Sequence, residues 1–167
     1  QMKIKQFISK VGVSVYNIVE INQVMKASVK PDVIQLPMNI LDSRLYRDNV
    51  LAKLCEKGIE IHVRSAFLQG LFFLSRIDLQ NRFSDAVPYL EKLNSISTDA
   101  GLTLSELSLL WLINLEAVSK VVIGLDCADQ LIMHLETVKK EVDSEVFKEA
   151  LSIHYENEAI LNPSLWS

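Results

Sequence analysis

Cysteine is scarce. The chain has two, Cys55 and Cys127, far apart and in none of the pairing patterns of secreted disulfide scaffolds. Both are expected to be packing residues, and a reducing cytoplasm is the expected compartment. Long apolar runs are missing as well. The longest, Leu107 to Leu115, is broken by Ser108 and Asn114 and falls far short of the roughly 20 residues that a bilayer crossing needs. No secretory signal is read at the start, so no membrane partner is expected. Positive charge is not in excess: 17 Lys and Arg stand against 21 Asp and Glu, for a net charge of −4 and a pI near 5.4. The basic residues are scattered, which leaves no electrostatic footprint for nucleic acid. His62, His134 and His154 lack metal-ligand spacing, so no metal site is expected. Neither G-x-G-x-x-G nor G-x-x-x-x-G-K-[ST] occurs. The chain opens on Gln1 rather than Met, and an upstream continuation of the natural polypeptide is expected.

What is present is apolar material for one ordinary core: 167 residues, 49% hydrophobic and 23% charged, which predicts a single domain over 1–167. The organising stretch is Gly58 to Leu71. It opens on the helix stop Lys57-Gly58 and alternates Ile59, Ile61 and Val63 against Glu60, His62 and Arg64, the period of a strand. That strand empties into Ser65 and a segment ending at Gly70, the place where a parallel sheet presents a binding site.

The same pattern recurs along the chain. Ile8 to Tyr16 alternates Val11, Val13 and Val15 against Gly12, Ser14 and Tyr16 and predicts a strand. Asn17 with Glu20 caps a helix running to about Ser28. Asp32 to Leu36 predicts a second strand. A single helix carrying Leu45, Val50, Leu51 and Leu54 follows Asp42 and Ser43 and stops at Gly58. After the third strand, Leu71 to Val87 reads as an inserted loop or short helix. Pro88 begins a helix to about Ala100, and Thr103 with Glu106 forms the capping box of a helix apolar nearly all round. Lys120 to Gly124 predicts the fourth strand, Asp126 the cap of the next helix and Asp143 the cap of the last. The apolar tail Ile160 to Trp166 is expected to dock on the body. Four alternations of strand and helix imply an α/β fold with parallel strands, and both an open doubly wound sheet and part of a barrel satisfy them.

GVSVY (Gly12 to Tyr16), PDVIQLPMNILD (Pro31 to Asp42), GIEIHVRSAFLQGLFFL (Gly58 to Leu74), VVIGLDCADQL (Val121 to Leu131) and the tail ILNPSLW resemble, in order and spacing, the second half of the aldo-keto reductase family. The resemblance implies a parallel half of a (β/α)8 barrel, strands five to eight, completed by upstream sequence or by a second copy. It implies NADP or NAD as cofactor and a carbonyl/alcohol oxidoreductase as the function. By matched position, Ser14 and Gln35 would bind the carboxamide, and Ser65, Phe67 and Gln69 would form the turn under the pyrophosphate. Gly124, Leu125 and Asp126 would meet the 2′-phosphate end, with Gln130 on the helix lining the adenosine side. Arg64 stands where many members have a Tyr stacked on the nicotinamide, Val15 where many have an amide-binding Asn, and Met133 and His134 replace a polar pair by the adenine. No Lys stands beside Asp126. No residue matches the family's catalytic Asp, Tyr, Lys and His, which come from the first four strands, so no catalytic residue is assigned and this chain alone is not expected to reduce a carbonyl. The alternative function is a non-catalytic half-barrel that self-associates or binds a partner.

Strand parity adds a separate expectation. Ser14 falls opposite Val13 and Val15, Gln35 opposite Ile34 and Leu36, and Arg64 opposite Ile61 and Val63, so they would converge on one face at the carboxyl rim.

Overall fold

The structure is a computed structural model and describes residues 7–166. Four parallel strands, β1 (Gly12–Ser14), β2 (Val33–Pro37), β3 (Glu60–Arg64) and β4 (Lys120–Val121), make one sheet in the order β1-β2-β3-β4. A doubly wound sheet reverses its strand order at a switch point. This order does not reverse, and only one face is sealed, so the winding is of the barrel type. Ile34, Leu36, Ile61 and Val63 are fully buried against the helix layer, while Val33, Gln35, Glu60, His62 and Arg64 on the opposite face are half-buried. Register places Ser14, Gln35, His62 and Lys120 in a single polar row across the four strands. Near the start of β3 on that face, Glu60 accepts from His62 Nε2 at 2.7 Å and from Lys10. These two donors, Lys10 foremost, hold the Glu60 carboxyl at a pKa of about 2.

Helix α1 (Ile18–Lys26) starts where Asn17 Oδ1 accepts from Glu20 N–H at 3.0 Å while Glu20 Oε2 accepts from Tyr16 N–H at 2.7 Å. The single helix expected between Asp42 and Gly58 is instead two short ones, α2 (Arg44–Arg47) and α3 (Val50–Cys55). Asn49 is the cause: its left-handed backbone, φ 57°, breaks the helical path between them. Gly58, at φ 71°, ends the second.

The connection after β3 is largely structured. A tightened turn over Leu68–Phe73 leads to α4 (Arg76–Arg82), a short 3-10 turn at Ser84–Ala86 and α5 (Val87–Asp99). Helix α6 (Leu104–Ile113) carries the expected Thr103–Glu106 capping box and is buried from Leu107 through Leu112. β4 is shorter than its sequence pattern: Val122 N–H still reaches Val63 O at 2.7 Å, and the ladder ends there. β1 likewise keeps only the centre of its alternating run.

Helix α7 (Ala128–Thr137) has Cys127 at its N-cap, not Asp126, which stands one residue further out. Asp143 caps α8 (Ser144–Leu151) as expected, but α8 is not the last helix. The tail forms α9 (Glu158–Leu161) and a 3-10 turn at Pro163–Leu165. It docks through buried Ile160 and Leu161, through Trp166 Nε1 donating to Ile160 O at 2.9 Å, and through the Trp166 ring 4.7 Å from that of Phe83. Ahead of it, Tyr155 Oη and Asn157 Nδ2 both donate to Asp85 Oδ2 at 2.9 Å. Cys55 and Cys127 are exposed, which corrects the expectation that they pack inside: each sits at a helix end rather than on a helix's inner face. Among the described residues no helix is long and apolar enough to cross a membrane, and no three potential metal ligands are gathered.

Candidate functional site

The carboxyl end of β3 leads into a backbone that holds three of the four non-glycine positive-φ positions among the described residues. Ser65, Leu68 and Gln69 have φ of 61°, 47° and 53°, and Gly70 follows at 84°. A left-handed conformation costs a residue with a side chain about 1–3 kcal/mol and persists only where the surroundings over-determine it. Here the surroundings do so from two sides. Leu68 and Leu71 point into the core, and two buried polar side chains hold the turn from behind. Asn39 donates through Nδ2 to Ser65 O at 3.2 Å while its Oδ1 accepts from Leu41 and Asp42 N–H. Ser108, on α6, donates to Ala66 O at 2.8 Å and accepts from Ile40 N–H at 3.2 Å. Neither residue carries a role in the sequence reading, where Ser108 figures only as a break in the apolar run Leu107 to Leu115; a polar residue inside an apolar segment is the only sign of either.

In front of this turn lies a cleft of about 810 Å³, within the span of roughly 300–1,000 Å³ typical of small-molecule sites. Arg64, Ser65, Phe67, Gln69, Gly124, Asp126 and Gln130 line it, so most of the residues selected from sequence are brought together. The same wall includes Gly70, Phe73, Met133 and His134. A Cβ added at Gly124 or Gly70 would meet no protein atom within 4 Å, so the backbone is open to close approach there. Ser14, Gln35 and Leu125 are not among the lining residues. Ser14 and Gln35 lie on the open sheet face, with Ser14 Oγ 3.3 Å from Gln35 Oε1.

Arg64 joins the two places. Its guanidinium donates to Ser65 Oγ at 3.2 Å, to Val15 O at 3.3 Å and to Ser14 Oγ at 3.4 Å, and it stands over the Tyr16 ring at 4.4 Å. Every one of these partners is neutral. Arg64 therefore keeps its full charge toward whatever occupies the cleft, and it is the only cation of Lys or Arg type along the described lining; Asp126 is the only carboxylate. Within the same lining His134 stacks on Phe67, ring centroids 5.0 Å apart and 13° from parallel, and Phe73 meets Phe67 edge-on at 5.4 Å. Burial pushes the His134 imidazole below its ordinary pKa, which favours the neutral ring in this apolar stack. At the mouth of α7, Asp126 N–H donates to Gln130 Oε1 at 2.8 Å. The described lining thus combines one cation, one carboxylate, uncharged polar side chains and a pair of aromatic rings stacked on one another.

The sequence profile of the Aldo/keto reductase family matches residues 3–154. No curated protein sequence matches the chain. Among solved structures, a thermostable aldo-keto reductase, Tm1743, in complex with the inhibitor epalrestat superposes with a TM-score of 0.68 at 20% identity, over 91% of this chain and 51% of that one. The holo form of the aldo-keto reductase AKR11C1 from Bacillus halodurans gives 0.70 at 22% identity, over 93% of this chain and 55% of the other. The chain thus spans about half the length of the solved structures it matches, and at these identities the likeness concerns the fold.

Proposed function

This chain belongs to the aldo/keto reductase family, and from that premise we propose that it is the dinucleotide-holding part of an NAD(P)-dependent oxidoreductase acting on carbonyl/alcohol substrates. In this reading its four β/α units are the carboxy-terminal half of an eight-unit barrel, one partial domain over 1–167. The observation that carries the reading is the cleft at the ends of β3 and β4, where Arg64, Ser65, Phe67, Gln69, Gly124, Asp126 and Gln130 meet. The fit to a dinucleotide rests on the unsealed backbone at Gly70 and Gly124 and on the charge of Arg64, whose side-chain partners are all neutral.

Within this proposal, the nicotinamide supplies or accepts the hydride when bound. The remaining work belongs to the chain. Arg64 and the turn from Ser65 to Gly70 hold the anionic centre of the ligand, and Ser14 with Gln35 present amide-matching polar atoms on the sheet face. Proton transfer to the carbonyl oxygen needs a positioned acid; none of this chain's residues matches the family's, and we assign that role to the complementary four units.

Titration of NADH with the chain, read as nicotinamide fluorescence, tests the reading. Saturable binding weakened at least tenfold by Arg64→Gln supports it; binding that is not saturable up to millimolar ligand refutes it. Gln35→Ala should weaken binding less, and unchanged affinity would remove Gln35 from the site.

A second reading is favoured by one further observation. Val11 and Val19 on the β1 side, Ile132 and Leu135 on α7 and Val138 at its C-cap are exposed apolar residues, and among the described residues no further strand pairs with β1 or β4. Unpaired edges invite pairing, so association with a second copy or with a separate complementary half is the alternative to a continuous polypeptide. Light scattering distinguishes them: a stable micromolar monomer counts against self-association.

A further inference from the structure

The open face of the sheet carries a positive charge that nothing on it offsets, and we infer that the face is completed by a complementary β/α half whose inward side chains are acidic, not by a second copy of this chain. This rests on the reading of the chain as half of a barrel. Val13, Ile34, Leu36, Ile61, Val63 and Val121 pack in the core on the helix side, so strand alternation turns Ser14, Gln35, Glu60, His62, Arg64 and Lys120 the other way. Lys10 reaches the same face through its bond to Glu60. Among the described residues the face thus gathers three cations of Lys or Arg type, Lys10, Arg64 and Lys120, against one carboxylate, Glu60. Asp32 has the opposite parity and accepts from Val11 N–H at 2.8 Å.

Glu60 does not balance the excess. Its Oε1 meets His62 Nε2 at 2.7 Å and its Oε2 takes Lys10. Lys120 stands in register with His62 on the neighbouring strand, and among the described residues no ion pair joins it to a carboxylate. A dinucleotide at the rim would answer Arg64 and leave Lys120 as it is. In the open sheet, water screens these charges. The interior of a closed eight-stranded barrel is only wide enough for its side chains to fill, and a charge enclosed there without a partner is strongly destabilising. Two copies of this chain would bring the same excess from both sides, so that like charges face one another. A half with carboxylates at the level of Lys120 would instead form ion pairs sheltered from water.

Sedimentation velocity tests this, with an acid-faced form of the chain as the probe. Gln35→Glu together with Lys120→Glu leaves two cations, Lys10 and Arg64, against three carboxylates on the face, and so reverses the sign of its excess. At low salt an equimolar mixture of parent and double variant is expected to form a one-to-one complex about tenfold tighter than the parent forms with itself, and the advantage should shrink as salt is raised. Should the double variant lack the parent's far-UV spectrum, Lys120→Glu alone, which cancels the excess, takes its place with a smaller gain in the same direction. Lys148→Glu, on the outer helix α8, is the control for general charge attraction. A parent that pairs with itself as tightly as the mixture makes a second copy the occupant and overturns the inference. A mixture that stays monomeric, or one matched by the Lys148→Glu control, overturns it too. Saturable NADH binding by the parent then leaves the dinucleotide reading standing, whereas absence of that binding as well removes both.

Discussion

Ser108→Ala probes the bracing of the left-handed turn. Its hydroxyl is fully buried and serves two backbone groups at once, Ala66 O at 2.8 Å and Ile40 N–H at 3.2 Å. Removing it strands both in a dry interior, since Ile40 and Ala66 are themselves buried. An unsatisfied buried polar group costs about 1–3 kcal/mol, so with two groups stranded the substitution should destabilise the chain by about 2–6 kcal/mol. Ser97→Ala is the matched control. Ser97 is as buried, but its Oγ donates to Asn94 O at 3.0 Å within α5, a carbonyl that the helix itself pairs, and the expected loss is under about 1 kcal/mol. Urea unfolding followed by far-UV circular dichroism, analysed at a common m-value, measures both. The variant should also bind NADH at least tenfold more weakly, because the turn that faces the ligand loses its anchor. A Ser108→Ala protein within about 0.5 kcal/mol of the parent, or no worse than the Ser97→Ala control, would refute the account of how the turn is held.

Three further outcomes follow from the same contacts. His134 is buried against Phe67 and held below its ordinary pKa, so as pH falls below about 6.5 the unfolded chain takes up that proton first and stability drops; His134→Phe should keep the stack and flatten this part of a stability–pH curve. Tyr155 has its pKa raised by burial and by its bond to Asp85. Above about pH 10 the unfolded chain loses that proton first, so stability should decline with rising pH, and Tyr155→Phe should remove the decline at a cost of about 1 kcal/mol in neutral urea melts. Gly70→Ala meets no atom but must hold φ 84°, so it should cost about 1 kcal/mol or more and weaken NADH binding measurably in the same titration.

The central strands were legible because period-two alternation and one-sided burial are the same fact seen twice: Ile61 and Val63 go inward, and His62 and Arg64 do not. Capping was nearly as readable, since Asn17–Glu20, Thr103–Glu106 and Asp143 act within a single turn. What escaped was non-local or conformational. The left-handed Asn49 splits a helix that its neighbours' periodicity would continue. Asn39 and Ser108 act on a turn far away in sequence, and no spacing rule joins positions 26 and 42 residues apart. Likewise the ends of β1 and β4 depend on where a neighbouring strand stops offering partners, which alternation does not encode. Half of the cleft lining was selected through the resemblance, whereas the placement of Arg64 across to Tyr16 is visible only in three dimensions.

Because two interior side chains already hold the turn beyond β3, an arriving ligand has little backbone left to order. Association should then be a single bimolecular event: in stopped-flow mixing the observed rate rises in proportion to ligand concentration, and differences in affinity among variants of the cleft reside in how long the complex lasts rather than in how quickly it forms.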